Sequence, residues 1–376
     1  MRILHVVPTY LPATRYGGPI VSVHGLARAQ AKLGDQVSVA TTSVDGAQDS
    51  AVAHGVPVHL DGVSVYYFRS RWLRRIYFAP AMRRFLRAEL KGFDVVHLHS
   101  VFLWPTNMAA RECVRSGVPY VLAPRGMLVE SLIAQKSAWV KRLWLRLIEG
   151  FTLRHASMFH ATSAREVSDA QALGVCVRNP QVIANGVEPN PLLARVEPEP
   201  PYALFLGRIN WKKRIELLID ALTEVPGLDL KIAGNDEENL LPTLQARIAA
   251  AGLESRVRFV GTVDGAAKQA LLAQARVLVL PSLSENFGNV VLEAFNQGCP
   301  VIVANGVGLA PIVADAQAGW VFEQREELVA ALKAASTDKA AASLRGVSGR
   351  QLVESQFSWP EIARQMRLAY RQAGAP

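Results

Sequence analysis

Along the chain, short runs of β-branched and aliphatic residues alternate with longer stretches in which apolar positions recur every three to four residues. The short runs cover residues 3–7, 37–41, 63–68, 95–98, 120–123 and 158–161 in the first half, then 203–206, 230–233, 257–260, 277–280 and 301–303 in the second. Runs so short and apolar predict strands buried on both faces, and the helical period between them predicts covering helices. The pattern is that of an α/β protein with two Rossmann-like, doubly wound domains, each on a parallel sheet. Residues 189–201 are proline-rich and read as a linker. The expected division is therefore 1–188, 189–201 and 202–356, with residues 357–376 as a closing helix. That helix is announced by Ser358-Trp-Pro-Glu361, a capping-box sequence with proline early in the helix. Periodicity leaves open whether it packs on its own domain or crosses back to the first.

A length of 376 residues suits two cores of ordinary size, and a 50% hydrophobic content supplies the apolar surface to fill them. Cys113, Cys176 and Cys299 are odd in number and form no Cys-x-x-Cys, which argues against a disulfide framework or zinc cluster and fits a reducing cytoplasm. No apolar run reaches the roughly 18–20 residues of a membrane span, and the first ten residues read as a strand rather than a signal peptide. Charge separates the halves. Residues 1–190 carry 22 Lys+Arg against 12 Asp+Glu and the remainder 19 against 20, so the net +9 divides as +10 and −1. All eight histidines also lie in the first half.

There is no Gly-x-Gly-x-x-Gly after the first strand and no Gly-x4-Gly-Lys-Ser/Thr, so neither the dinucleotide fingerprint nor the P-loop is present. The most specific stretch is Ser284-Glu-Asn-Phe-Gly-Asn-Val-Val-Leu-Glu-Ala294, directly after the apolar run at 277–280. With a helix starting near Asn289, Glu285 lies in the preceding loop and Glu293 one turn inside. The amides of Phe287, Gly288, Asn289 and Val290 between them suit phosphate oxygens. The alternative is that both glutamates merely complement a helix end and a solvated face. In Gly207-Arg-Ile-Asn-Trp-Lys-Lys-Arg214, Arg208 and Lys213 follow a strand where cations can neutralise a leaving diphosphate, or be plain solvated charge. Gly17-Gly18-Pro19 after the first strand permits close approach of a pyrophosphate or makes a bare turn. His97 and His99 share one face of a strand, with His99 at its carboxyl end, where reactants bind in open α/β sheets or where a structural histidine sits.

Together these pieces resemble the retaining glycosyltransferases of family 4, which have the GT-B fold of two Rossmann-like domains facing each other across a cleft. The likeness covers nearly the whole chain and also draws on Asp94–His99, Asn185-Gly186-Val187 and the closing Phe357-Ser-Trp segment. It implies that Arg208 and Lys213 bind the donor diphosphate, Glu293 the nucleotide ribose, and Glu285 the donor sugar. By the same resemblance His99 lies beside the reacting carbon and Gly18 closes over the phosphates. It further implies retention of configuration without a metal or other cofactor, by front-side attack in a tight ion pair. Three places depart from or extend the pattern. Arg214 stands where the family usually has glycine, and Pro311 replaces a usual glutamate in Gly306-Val-Gly-Leu-Ala-Pro311. Pro124-Arg-Gly-Met127 matches a bacterial subset in which Arg125 is a cleft residue, a simple turn being the alternative.

In family terms the first domain handles the acceptor, and its charge suits a saccharide or lipid-linked saccharide in polysaccharide or O-antigen assembly. Arg69, Arg71, Arg74 and Arg75 with Trp72 and Tyr77 lead into a helical stretch whose Arg83, Arg84, Arg87 and Lys91 flank Met82, Phe85, Leu86 and Leu90. Val140, Leu143, Trp144, Leu147 and Ile148 beside Lys141, Arg142 and Arg146 repeat the pattern. Such stretches lie on anionic membrane or face their own sheet. The expected location is cytoplasmic, free or at the inner face of the membrane. No nucleic-acid-binding motif accompanies the charge. A nucleotide-sugar hydrolase or epimerase of the same fold, or a non-catalytic binding subunit, would carry much of the same sequence.

Overall fold

The computed structural model describes residues 1–14, 17–129, 144–193 and 195–376, without the side chains of Arg146 and Leu147. In the first half the strands are β1 (Arg2–Thr9), β2 (Gln36–Thr42), β3 (Val44–Asp45), β4 (Gln48–Asp49), β5 (Pro57–Leu60), β6 (Val63–Phe68), β7 (Val95–His99), β8 (Tyr120–Ala123), β9 (Met158–Ala161) and β10 (Pro180–Val182). The second half contributes β11 (Tyr202–Leu206), β12 (Asp229–Ala233), β13 (Val257–Gly261), β14 (Val277–Leu280), β15 (Val301–Ala304) and β16 (Gly319–Phe322).

The first sheet runs β10-β9-β8-β7-β1-β2-β6-β5 and the second β13-β12-β11-β14-β15-β16. The strands that read as continuous apolar runs, such as β7, β8, β11 and β14, are buried at every residue. The second sheet is parallel throughout. The first corrects the expectation of a parallel sheet, because β5 pairs antiparallel to β6. Asp61 and Gly62 join these two strands with φ of 49° and 83°, the backbone that an Asp-Gly hairpin turn adopts.

Each sheet has a point where strand order reverses. In the first sheet β1 lies between β7 and β2, and in the second β11 lies between β14 and β12. Helices leave in opposite directions there and open a crevice at the carboxyl ends of the strands.

Residues 1–186 with 359–376 form one compact unit and residues 187–358 another. The closing helix, Trp359–Gln372, thus belongs to the first unit, where Trp359, Ile362, Met366 and Tyr370 join the core. Trp359 needs glycine on two sides. A Cβ on Gly25 would come within 2.3 Å of its indole, and one on Gly186 within 2.7 Å. The proline-rich stretch is strapped to the second unit: Arg195 donates to the carbonyls of Gly298 (2.6 Å) and Ala275 (2.8 Å), and Glu197 pairs with Arg276 at 2.9 Å.

Candidate functional site

In the second unit the reversal point brings together the ends of β11 and β14. The chain leaves β11 through Gly207 and makes a tight turn at Trp211–Lys213, after which Arg214 caps the helix Ile215–Leu222. Arg214 has φ 48°, a backbone that glycine adopts at least cost, which accounts for glycine being usual there. Its guanidinium Nε donates to the carbonyl of Pro281 (2.8 Å), and Leu283 N–H donates to the carbonyl of Lys212 (2.8 Å). The basic turn is thereby laced to the loop after β14, and Lys213 Nζ meets Glu285 Oε2 at 2.5 Å.

A third loop fixes Glu285. Its N–H donates to the carbonyl of Gly306 (3.1 Å), and its own carbonyl accepts from Gly308 N–H (2.9 Å). Gly306 allows this approach, since a Cβ there would stand 2.2 Å from the carbonyl oxygen of Leu283. Pro311, the other departure from the family pattern, lies in the first turn of the helix Ala310–Asp315, where its missing N–H costs nothing. The helix Asn289–Asn296 starts after Gly288, and the Phe287 side chain before it is buried. One turn in, Glu293 pairs with Lys268 at 3.0 Å. Arg208 pairs with Glu237 at 2.8 Å, and Asn210 donates to the same carboxylate at 3.2 Å. Lys213 and Glu285 are thus joined directly, whereas Arg208 and Glu293 each hold a partner from elsewhere, Glu237 and Lys268, which spacing in the sequence did not suggest.

The first unit is organised differently. His99, at the end of β7, is 1% exposed and belongs to a buried chain of hydrogen bonds. Arg125 reaches its Nδ1 with Nε and a terminal nitrogen at 3.3 and 3.2 Å. His99 Nε2 lies 2.9 Å from His5 Nδ1, and His5 Nε2 lies 2.8 Å from Gln30 Oε1. Gln30 Nε2 donates to Tyr370 O–H (3.2 Å), which lies 2.7 Å from His97 Nδ1. His97 Nε2 is 3.2 Å from His160 Nδ1, and His160 Nε2 is 2.8 Å from the carbonyl of Ile183. The two ends assign every proton. Arg125 can only donate and a carbonyl can only accept, so all four histidines carry hydrogen on Nε2 and the bonds run one way along the chain.

Burial keeps these rings neutral. Desolvation is the leading cause in each case, lowering His5 to about 4 and His160 to about 3, and His97 and His99 well below the usual range. Nearby Arg125 adds to the effect in all four, and burial brings Arg125 itself down to about 10. The ring nitrogens of His5, His97 and His99 lie within 4.8 Å of one another, close enough for a metal. All six are already engaged, however, and a guanidinium touches His99, so this donor set fits a hydrogen-bond chain.

Other sequence candidates fall as follows. Gly17 (φ 76°) caps the helix Gly18–Lys32 after β1, and Gly18 is exposed. Arg125 has φ 57°, and its side chain joins His99 to Asn185 Oδ1 (2.9 Å), the asparagine of Asn185-Gly186-Val187. On the helix Pro80–Glu89, Met82 and Leu86 face the unit's own core and Phe85 packs on Tyr66, so this apolar stripe is not on offer to a membrane. In the second basic stretch, Val140, Lys141, Arg142 and Leu143 and the side chains of Arg146 and Leu147 lie outside the described residues.

Comparison with known proteins agrees with this architecture. Residues 17–186 match the family model of the glycosyl transferase 4-like domain, and residues 194–348 that of glycosyl transferases group 1. The glycogen synthase of Mycobacterium tuberculosis is 29% identical over 96% of this chain and 92% of its own. The GDP-mannose:cellobiosyl-diphosphopolyprenol alpha-mannosyltransferase of Xanthomonas campestris is 27% identical over 84% and 79%. In fold, Anabaena HepE, solved in complex with UDP and glucose, gives a TM-score of 0.76 at 20% identity across 99% of both chains. With the two family models in tandem, two Rossmann-like units and relatives along its length, the chain belongs to the GT4-type glycosyltransferases of the GT-B fold.

Proposed function

We propose that this enzyme transfers a hexose from a UDP- or GDP-sugar to a saccharide or lipid-linked saccharide, with retention of configuration and without a metal, in the assembly of a cell-surface or exported polysaccharide. The observation that carries this reading is the Lys213–Glu285 pair at the reversal point of the second sheet, beside the start of the helix Asn289–Asn296. A diphosphate arriving there competes with the carboxylate for Lys213 and takes up N–H groups from Phe287 to Val290. Arg208, half exposed on its pair with Glu237, is available to the same anion. Glu285, relieved of Lys213, accepts from hydroxyls of the donor sugar, and Glu293 accepts from the ribose.

In this scheme the bond from the anomeric carbon to the leaving phosphate oxygen breaks while the acceptor oxygen bonds to the same face. The acceptor's proton passes to the leaving phosphate. Lys213 and Arg208 stabilise the charge developing on the diphosphate, the contribution fixed cations make most effectively. Both nitrogens of His99 are committed within the chain of hydrogen bonds, so it acts near the reacting carbon by shape and dipole, held by Arg125, rather than as a free acid or base. The first unit receives the acceptor, in the cytoplasm or at the membrane's inner face. The names of the Xanthomonas mannosyltransferase and of the HepE complex support the nucleotide-sugar donor and the lipid-linked acceptor.

A panel of UDP- and GDP-sugars, scored for nucleotide release with and without candidate acceptors in the presence of EDTA, tests the proposal. Acceptor-dependent release that Lys213→Ala abolishes is expected. Release at full rate without acceptor would make the enzyme a hydrolase instead.

A further inference from the structure

In the first unit a groove of about 730 Å³ opens between the end of β6 and the helix Pro80–Glu89. Its walls include Phe68, Phe78 and Phe85, with Ala81 and Ala88 along the helix. Arg69, Arg71 and Arg84 line it as exposed side chains, with Trp72 72% exposed at its edge. Its volume lies within the roughly 300–1,000 Å³ of sites that enclose a single small molecule.

The arginines of this region have divided duties. Arg83, Arg87 and Arg115 converge on the single carboxylate of Glu112 at 2.8, 3.2 and 3.0 Å, which engages all three and offsets one of their charges. Arg74 ties its segment down, donating to Asp49 (2.8 Å) and to the carbonyls of Gln48 (2.6 Å) and Ser70 (3.0 Å). Arg69, Arg71, Arg75 and Arg84 form no ion pair with any described residue and leave an uncompensated cationic rim on an aromatic groove. Two further features mark the place as built. Leu73 and Tyr77, on either side of the turn Arg74–Ile76, hold φ of 50° and 58°, conformations that cost side-chain-bearing residues of order 1–3 kcal/mol each and persist where the surroundings enforce them. His54, which also lines the groove, has its Nε2 shut away from water with no hydrogen-bond partner.

We propose that this groove binds the lipid end of a phosphorylated isoprenoid, with the chain among the phenylalanines and the phosphate or diphosphate head on Arg69, Arg71 and Arg84. Aromatic walls serve a hydrocarbon chain, and the unpaired guanidinium groups serve the head in bidentate fashion. Trp72 and Leu73, 72% and 65% exposed, stand at the edge where a bilayer surface could touch them, but the phenylalanines lie inside a concavity, which suits one inserted chain. The assignment gives the lipid-linked acceptor a seat. Its part in turnover rests on the transferase reading; the binding itself does not.

Titration of the full-length protein with farnesyl diphosphate, without any sugar donor, tests the binding. Inorganic pyrophosphate and phosphatidylglycerol vesicles serve as head-only and surface probes. Farnesyl diphosphate should bind at least tenfold more tightly than pyrophosphate. Ala81→Trp, which fills the groove, and Arg69→Gln/Arg84→Gln, which strips its rim, should each weaken it at least tenfold at unchanged melting temperature, with Ala88→Trp standing in if Ala81→Trp melts early. Equal affinity for pyrophosphate would reduce the site to a charge patch. Indifference to the tryptophan variants, or binding to vesicles alone, would overturn the groove. Donor-side turnover is read separately, so a failed titration with an active Lys213-dependent enzyme rejects the groove and leaves the transferase.

Discussion

The two reversal points meet the same demand, polar groups at the mouth of a parallel sheet, by opposite means. In the second unit the groups are charged, paired and partly exposed: Lys213 with Glu285, Arg208 with Glu237, Lys268 with Glu293. Exposed pairs of this kind contribute roughly 0–1 kcal/mol each, so an arriving anion can take over the cation at little expense to the fold. In the first unit the groups are buried and locked in sequence from Arg125 to Ile183, and beyond the arginine they are neutral. Leaving one such group without its partner costs about 1–3 kcal/mol. The comparison teaches that the second unit is arranged for exchange of partners and the first for keeping them.

Acid should separate the two most strongly. The four buried histidines have folded-state pKa values below the unfolded value near 6.5, so the unfolded chain binds more protons and stability falls as pH drops from about 6.5 towards 4 for His5 and 3 for His160. Each ring that stays neutral contributes on the order of 1.4 kcal/mol per pH unit across that window. The second unit contains no histidine. Urea unfolding followed at pH 7, 6 and 5 should therefore show the first unit weakening by several kcal/mol while the second is nearly level. Parallel movement of both would break the comparison.

Next in size is Lys213→Ala, expected to lower turnover about 10²–10³-fold, the scale of losing one preorganised group at a developing charge. The melting temperature should hardly move; a large drop with near-normal turnover would mean that the lysine is structural. Glu293→Ala should raise the donor KM roughly tenfold with a smaller change in kcat, as removal of uniform ribose binding does, and steady-state kinetics at saturating acceptor would read it. Tyr370→Phe removes one hydroxyl between Gln30 and His97. We expect about 1–3 kcal/mol less stability in the first unit and an unaltered donor KM. Loss of donor affinity from this change would contradict the division of labour.

Most of the strand framework was legible because parallel central strands are apolar on both faces, and β1, β7, β8, β11 and β14 carry that signature. β5 alternates at an exposed edge and was missed, although Asp61-Gly62 was there to signal its hairpin. β16 opens with a glycine and escaped for want of a continuous apolar run. Glu285, Glu293, Arg208 and Lys213 stood out because loops after strands concentrate their chemistry in contiguous residues. Their partners Glu237 and Lys268 did not, since ion pairs across loops leave no spacing to read. The histidine chain was least legible of all. It draws on β1, β7, β9 and two helices that sequence separates by more than 300 residues, and only His97 and His99 were neighbours.

The closing helix sets an order of assembly. Residues 187–358 are contiguous and can collapse once they have left the ribosome, but the first unit lacks Trp359, Met366 and Tyr370 until the chain's last stretch is made. At about 5–20 residues per second that wait is on the order of ten to forty seconds. Throughout it Gly25 has no indole against it and His97 no phenol, so the first unit to be synthesised is the last to be finished. An early stop codon near residue 358 would therefore injure the amino-terminal half of the protein, the half farthest from it in sequence.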